Sequence, residues 1–358
     1  LLSISFYYLQ TVWVTKDKRA FAIGSNAKNQ IFASLPQEDF KQEQEIVIQN
    51  NEGVQYQFVS VVCGESYTLY RVTLDPDLKH SELVYQYEDQ PASIFLNLNG
   101  REPLALFGGD TVAAVVDTEG AVIPITKEIF DNPDQPLQPT VLPNGEKAIS
   151  IACCNKYLIV LSASHHVFES SLETDDEGQL EFTSVDEIYD IDINQISGTF
   201  EHCFAISKEG KVYGRGLNNF GQLAMGKETE KVDEFTEISS LSKHVIRNAS
   251  AGVSHSLFQT DEGKVLACGN NFIGQLPLTS GLKKKLIFNP VETIITENAT
   301  FIVAGAGETA IFMNLPPPLS TPNLKITKAT RRKSKSKSKS KSKKDDEKPK
   351  KEDDEKKA

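Results

Sequence analysis

The stretches "YGRGLNNFGQLAMG" (213–226) and "LACGNNFIGQLPL" (266–278) share one pattern, Gly-x-Asn-x-x-Gly-Gln-Leu, repeated 53 residues apart. When the segments that begin at His202 and His255 are aligned without a gap, 10 of 23 columns are identical. Repeats of this length are typical of arrays in which each copy buries its apolar face against the next copy. The pattern therefore points to a repeat fold.

Each copy predicts a β-hairpin followed by a sharp corner. "HCFAIS" is a β-prone run, and "KEGK" after it is a tight turn in which Gly210 supplies a positive φ. "VYGRG" returns as the next strand, which we expect Gly216 to end. Asn218 can then hydrogen-bond the backbone of the following loop. The same assignments apply 53 residues later, with Gly263 in the turn "DEGK".

The same template fits five further places in the chain. The seven predicted strands begin at Thr11, Thr68, Ala113, Leu158, Cys203, Ser256 and Thr309, with spacings of 45 to 57 residues. Seven hairpins at this spacing predict an all-β fold, a seven-bladed β-propeller over residues 1–315, in which neighbouring blades cover each other. A two-layer sandwich of irregular hairpins is the alternative. A WD40 array lacks support because the one Trp, Trp13, precedes Val14.

The repeat resembles that of the regulator of chromosome condensation (RCC1) repeat family. The segment "AGVSHSLFQTDEGKVLACGNNFIGQL" (251–276) is similar to the family unit almost column by column. The likeness is specific in the two opening copies, fair at 11–32 and weak in the middle three. The family fold is also a seven-bladed propeller. Arg215 and Cys268 stand where the family usually has Trp, so the chain resembles a divergent member.

The resemblance implies a binding face. Founding members are exchange factors for the small GTPase Ran and also dock on nucleosomes, and they meet the GTPase through acidic and His side chains in the turns that enter each inner strand. The corresponding residues here are Glu65, Asp110, Glu201, His202, His255 and Glu308. A non-enzymatic protein-interaction module is the first hypothesis, and a Ran-type exchange factor is the second. The two histidines are also repeat-consensus residues, so a purely structural role in their strands is a competing interpretation.

The motifs exclude several kinds of chemistry. The chain carries no Walker loop, no G-x-S-x-G, no H-E-x-x-H and no dinucleotide fingerprint, so we expect no catalytic residues and no cofactor. The five Cys include no C-x-x-C pair, and His165 with His166 has no further ligands nearby, so no metal site is expected. A glycan-active propeller, with its paired carboxylates, is a third hypothesis.

Charge divides the chain in two. Lys325 to Ala358 carries 16 Lys and Arg against 7 Asp and Glu, whereas the remainder carries 22 against 42. We predict a disordered tail over 316–358, Pro-rich and then Lys/Ser-rich. Its basic block could contact nucleic acid, an import receptor or an acidic surface. The block comprises Arg331, Arg332, Lys333, Lys335, Lys337, Lys339, Lys341, Lys343 and Lys344.

No run is long and apolar enough to span a bilayer, and the start of the chain lacks the basic region and cleavage site of a signal peptide. We therefore expect an intracellular protein, nuclear or cytoplasmic.

Overall fold

The structure is a computed structural model and describes residues 3–7, 10–130, 137–173, 179–227, 229–278, 285–295 and 297–313. Within these residues, 25 β-strands form seven antiparallel sheets. Each sheet is built from strands that are consecutive in the chain, and we number the sheets blade 1 to blade 7 in chain order. The seven blades predicted from the repeat are therefore confirmed.

Blades 1 to 3 come from the first third of the chain. Blade 1 contains β1 (Ser3–Tyr7), β2 (Gln10–Val14), β3 (Ala20–Ser25) and β4 (Asp39–Ile46); blade 2 contains β5 (Gln57–Cys63), β6 (Tyr67–Thr73), β7 (Glu82–Tyr87) and β8 (Ile94–Phe95); blade 3 contains β9 (Pro103–Gly108), β10 (Ala113–Asp117) and β11 (Val122–Ile125). An isolated bridge between Val122 and Thr140 extends blade 3 outward.

Blades 4 to 7 repeat the same order. Blade 4 contains β12 (Ala148–Cys153), β13 (Tyr157–Ser162), β14 (Val167–Ser171) and β15 (Thr183–Ser184); blade 5 contains β16 (Ile193–Thr199), β17 (His202–Ser207), β18 (Val212–Leu217) and β19 (Lys231–Glu237); blade 6 contains β20 (Ile246–Ala251), β21 (His255–Thr260), β22 (Val265–Asn270) and β23 (Leu286–Glu292); blade 7 contains β24 (Ala299–Ala304) and β25 (Thr309–Met313). The described helical segments are short 3-10 turns at Lys127–Phe130, Pro143–Gly145, Asp186–Ile188 and Ser239–Leu241, and none of them could cross a membrane.

The apolar core lies between blades. Strand β17 is buried along its whole length because blades 4 and 6 cover its two faces. Phe204 of blade 5 meets Phe258 of blade 6 edge to face, with ring centroids 5.0 Å apart. Similar clusters join blade 1 to blade 2 and blade 3 to blade 4. A single blade therefore has no core of its own, which explains why the chain needs so many copies.

One expectation about strand order was wrong. The strands that begin near 11, 68, 113, 158, 203, 256 and 309 are the second strands of their blades, and each is preceded by a first strand that contacts the first strands of neighbouring blades. The first strands are thus the inner ones. The turns that carry the predicted partner-binding residues join the inner strand to the second strand, rather than entering the inner strand.

The described residues begin in blade 1 and end in blade 7. The apolar N-terminal stretch forms two paired strands, β1 and β2. Blade 7 has two strands among the described residues. The predicted tail over 316–358, including its basic block, lies outside the described residues, so its disorder and its contacts stay predictions.

Candidate interaction rim

We use the term rim turns for the turns between first and second strands, at 64–66, 109–112, 154–156, 200–201, 252–254 and 305–308. Backbone hydrogen bonds tie these turns together across blades. The Glu65 amide donates to the Asp110 carbonyl at 2.8 Å, and the Asn155 amide donates to the Phe200 carbonyl at 2.9 Å. A third such bond joins the turns of blades 6 and 7. These bonds join the rim turns in three neighbouring pairs, those of blades 2 and 3, 4 and 5, and 6 and 7.

One column of the repeat connects five of the blades to the blade that follows. In these blades the residue that opens the second strand sends its side chain across the blade boundary. Gln10 donates to the Gly64 carbonyl at 2.8 Å, and Tyr67 donates to the Gly109 carbonyl at 3.0 Å. The Tyr157 hydroxyl lies 4.0 Å from the Cys203 sulfur, a His202 ring nitrogen lies 2.9 Å from the Ser256 hydroxyl, and a His255 ring nitrogen lies 3.1 Å from the Thr309 hydroxyl. Different side chains thus do the same structural task.

His202 and His255, two of the predicted partner-binding residues, are fully buried in this column. Burial lowers the pKa of His202 to about 3 and that of His255 to about 4, so both rings are neutral at physiological pH. Their Nε2 atoms are used between blades. In this structure the two rings are buried between blades and contribute to the scaffold.

The four predicted carboxylates lie in four different rim turns. Glu65 is exposed, Glu201 and Glu308 are partly buried, and Asp110 is only 4% exposed. Burial raises the pKa of both Asp110 and Glu308. One carboxylate oxygen of Asp110 is buried without a hydrogen-bond partner among the described residues. An unpaired buried acceptor of this kind carries a desolvation cost.

The repeated corner that opened the sequence comparison serves the scaffold. The Asn218 side chain donates to the Gly226 and Thr229 carbonyls and accepts from the Leu223 amide at 2.8 Å. Asn26 satisfies its own loop in the same manner in blade 1. The predicted backbone role of this Asn is confirmed.

The structure adds a cluster that the sequence did not single out as a site. Arg215 bonds Glu169 of the neighbouring blade at 2.5 Å, and its guanidinium lies 5.3 Å from the Tyr157 ring centroid. Beside it is a cavity of about 180 Å³ between blades 4 and 5, lined also by Phe200 and Glu201 of the rim. The one sequence signal was Arg215 itself, since it stands in the column where the family unit has Trp.

The two adjacent histidines of blade 4 lie at the opposite end of their strand. His165 has φ of 70° in the turn between β13 and β14. His166 pairs with Glu146 at 2.7 Å and stacks on Tyr189. Across the described part of the chain, no three His, Cys, Asp or Glu side chains come together as a metal site.

Comparison with family models identifies repeats in blades 5 and 6. Two models of the regulator of chromosome condensation (RCC1) repeat match residues 193–222 and 209–259. Among curated proteins, the chain is 34% identical over 113 residues to the secretion-regulating guanine nucleotide exchange factor of Bos taurus, covering 32% of this chain and 24% of that protein. It is 42% identical over 77 residues to human Protein RCC2, covering 22% and 15%. The chain thus spans a quarter or less of these relatives.

Solved structures share the architecture over most of the chain. Human WBSCR16 superposes with a TM-score of 0.68 at 13% identity, covering 87% of this chain and 86% of that one. Prp20p of Saccharomyces cerevisiae, solved in a study of its binding to Gsp1p and histones, superposes with a TM-score of 0.65 at 13% identity, covering 86% and 81%. At this identity the likeness supports the fold alone.

Proposed function

Since this chain is a divergent member of the RCC1-repeat family, we propose that it is a non-enzymatic interaction module that binds a protein partner through the carboxylates of its rim turns. One observation carries the proposal: the rim turns, bonded in neighbouring pairs, place Glu65, Asp110, Glu201 and Glu308 on four separate blades at the same end of the propeller. A rigid, spaced set of acidic groups suits a basic surface and gives fast, salt-dependent association.

The buried carboxyl of Asp110 strengthens the proposal. A carboxyl with a raised pKa and an unused acceptor costs stability in the free protein. Groups retained at such a cost are typical of functional sites. A partner Lys or Arg that reached Asp110 would gain a charge-assisted hydrogen bond in a partly dry environment, where such bonds are strong.

The test compares charge reversal in the rim turns with the same charge reversal at the opposite end of the propeller. The rim variant is Glu65→Lys, Glu201→Lys and Glu308→Lys; the matched control is Glu119→Lys, Glu209→Lys and Glu262→Lys, in turns between second and third strands. Cross-linking in cells identifies the proteins bound to the native chain. We expect the rim variant to lose these partners and the control variant to keep them. If the two variants lose partners equally, the rim is not the binding surface.

Nucleotide exchange on a Ran-type GTPase is the second candidate. It is favoured by the relative described as an exchange factor and by the likeness to Prp20p, a protein studied for its binding to Gsp1p. An exchange factor needs only to bind the nucleotide-free state more tightly than the loaded one. Release of a fluorescent GDP from such a GTPase, with and without the protein, tests it. A release rate unchanged by the native protein rejects exchange and leaves the interaction proposal standing.

The predicted basic tail is the subject of a further functional proposal. Yeast RCC1 (Prp20) has been solved bound to Kap60, which shows that a similar propeller protein engages that partner. We propose that the block from 331 to 344 acts as a nuclear import signal. Deletion after Pro318 is expected to abolish nuclear accumulation, and an unchanged distribution would reject the import role.

A further inference from the structure

We infer that the cavity between blades 4 and 5 binds one aromatic side chain of a protein partner. The inference rests on the proposed function, because the cavity opens at the same rim. It is lined by Tyr157, Phe200, Glu201, Arg215 and Val232, among others. Its volume of about 180 Å³ is that of a single large side chain, and it is too small for a folded element or a nucleotide.

The origin of the cavity is visible in the packing. In the repeat unit that this chain resembles, a Trp occupies the column of Arg215. Here the guanidinium is drawn to Glu169 of the neighbouring blade and lies against the Tyr157 and Phe235 rings. The Arg215 side chain is thus held against one wall, and the open space beside it is bordered by the aromatic residues Tyr157 and Phe200.

The charges around the cavity favour a neutral aromatic group over an anion. Arg215 is paired with Glu169, and Lys231 is paired with Asp233 at 2.6 Å. Lys156 and Glu201 also line the cavity, so three cations and three anions surround it and their charges balance. An aromatic ring matches such walls because its negative face attracts the guanidinium and its positive edge attracts the Glu201 carboxylate.

Backbone strain marks the same place. Phe200 has φ of 51°. A bulky side chain in this left-handed region is an outlier, and retained strain of this kind points to function. At this position Phe200 is only partly buried and forms a wall of the cavity. A glycine would fit the turn without strain, whereas this chain places there an aromatic ring that lines the cavity.

The first experiment uses p-cresol, the side chain of tyrosine, as the probe. Saturation-transfer NMR of the full chain is expected to show p-cresol binding that Arg215→Trp reduces at least several-fold, because Trp refills the space. Arg215→Trp restores the residue of the repeat unit and should fold. The matched control, Arg247→Trp, adds the same side chain at an exposed site in blade 6 and should leave the signal unchanged.

A second variant tests the same cavity in case Arg215→Trp fails to fold. Phe200→Gly accepts the same backbone conformation, should keep the melting temperature within a few degrees, and should weaken p-cresol binding by removing one wall. Equal p-cresol signals in native protein and both cavity variants would overturn the inference, as would stronger binding of acetate than of p-cresol at this site. Because the probe is not the partner, a positive result here can coexist with failure of the proposed rim interaction, and the reverse.

Discussion

Asn218 shows how a single residue holds a blade corner. Its side chain satisfies three backbone groups of one loop, and it is fully buried. Buried backbone groups that lose their partner destabilise a protein by their full desolvation cost. Scaffold residues of this kind repeat along the chain, whereas the functional candidates, Asp110 and Arg215, depart from the repeat.

We predict that Asn218→Ala lowers the free energy of unfolding by about 2–4 kcal/mol, since three backbone partners lose their bonds. Asn270→Ala is the matched control because the Asn270 side chain accepts one exposed amide, and its cost should be about 0.5 kcal/mol. Urea unfolding of both variants measures the difference. Similar costs for the two would contradict the assigned role of Asn218.

The buried histidines predict acid sensitivity. Their folded pKa values lie below the unfolded value of about 6.5, so the unfolded chain binds more protons as the pH falls below 6.5. Stability should therefore decline from pH 6.5 towards pH 4, by up to about 1.4 kcal/mol per pH unit for each ring. Burial raises the pKa of Asp110 and Glu308, so protonation of these two carboxyls favours the folded state as the pH falls and opposes the effect of the histidines.

The measurement is urea unfolding at several pH values between 5 and 6.5. The double variant His202→Gln and His255→Gln should be less stable at pH 7 but should show a flatter dependence on pH. An identical slope in native and variant proteins would show that the two rings are not buried in the neutral form.

At the scale of elements, the blade corner depends on close approach between backbones. Gly216 has φ of 110°, and an added Cβ would lie 2.0 Å from the Glu201 carbonyl oxygen. The corner also carries a shift of register between β18 and β19. The glycine was expected to end its strand; instead it bends the strand, which continues to Leu217. The bend brings strand β18 against the rim turn.

We predict that Gly216→Ala costs about 3 kcal/mol or more, from the clash and the left-handed backbone together. Gly226→Ala is a control with φ of 79° and no atom within 4 Å of the added Cβ, and it should cost only about 1 kcal/mol. Thermal unfolding of the two variants measures the contrast. Equal costs would indicate that the approach of Glu201 is unimportant.

At the scale of the propeller as a whole, stability is shared by all blades because every large cluster of the described core crosses a blade boundary. A substitution that destabilises one blade should therefore also lower the stability of distant blades. Trp13, the single tryptophan, lies in blade 1 and reports on that blade by fluorescence.

We predict that Phe258→Ala, in blade 6, costs about 3–5 kcal/mol through the cavity it leaves. The Trp13 fluorescence transition and the far-UV circular dichroism transition should coincide in the native protein and shift together in this variant. A Trp13 transition that stayed in place would show that the blades unfold independently.

The number of blades and the places where they turn could be predicted from the amino-acid sequence. Strand starts, positive-φ glycines such as Gly210 and the bonding role of Asn218 follow from local chemistry, which the chain repeats in readable form. Which strand faces the axis, and what each rim residue can reach, became clear only from the folded propeller. His202 and Glu201 are adjacent in sequence, yet one is sealed between blades and the other borders a cavity. That difference arises because burial and cavity shape depend on the neighbouring blade, which lies about 50 residues away in the chain.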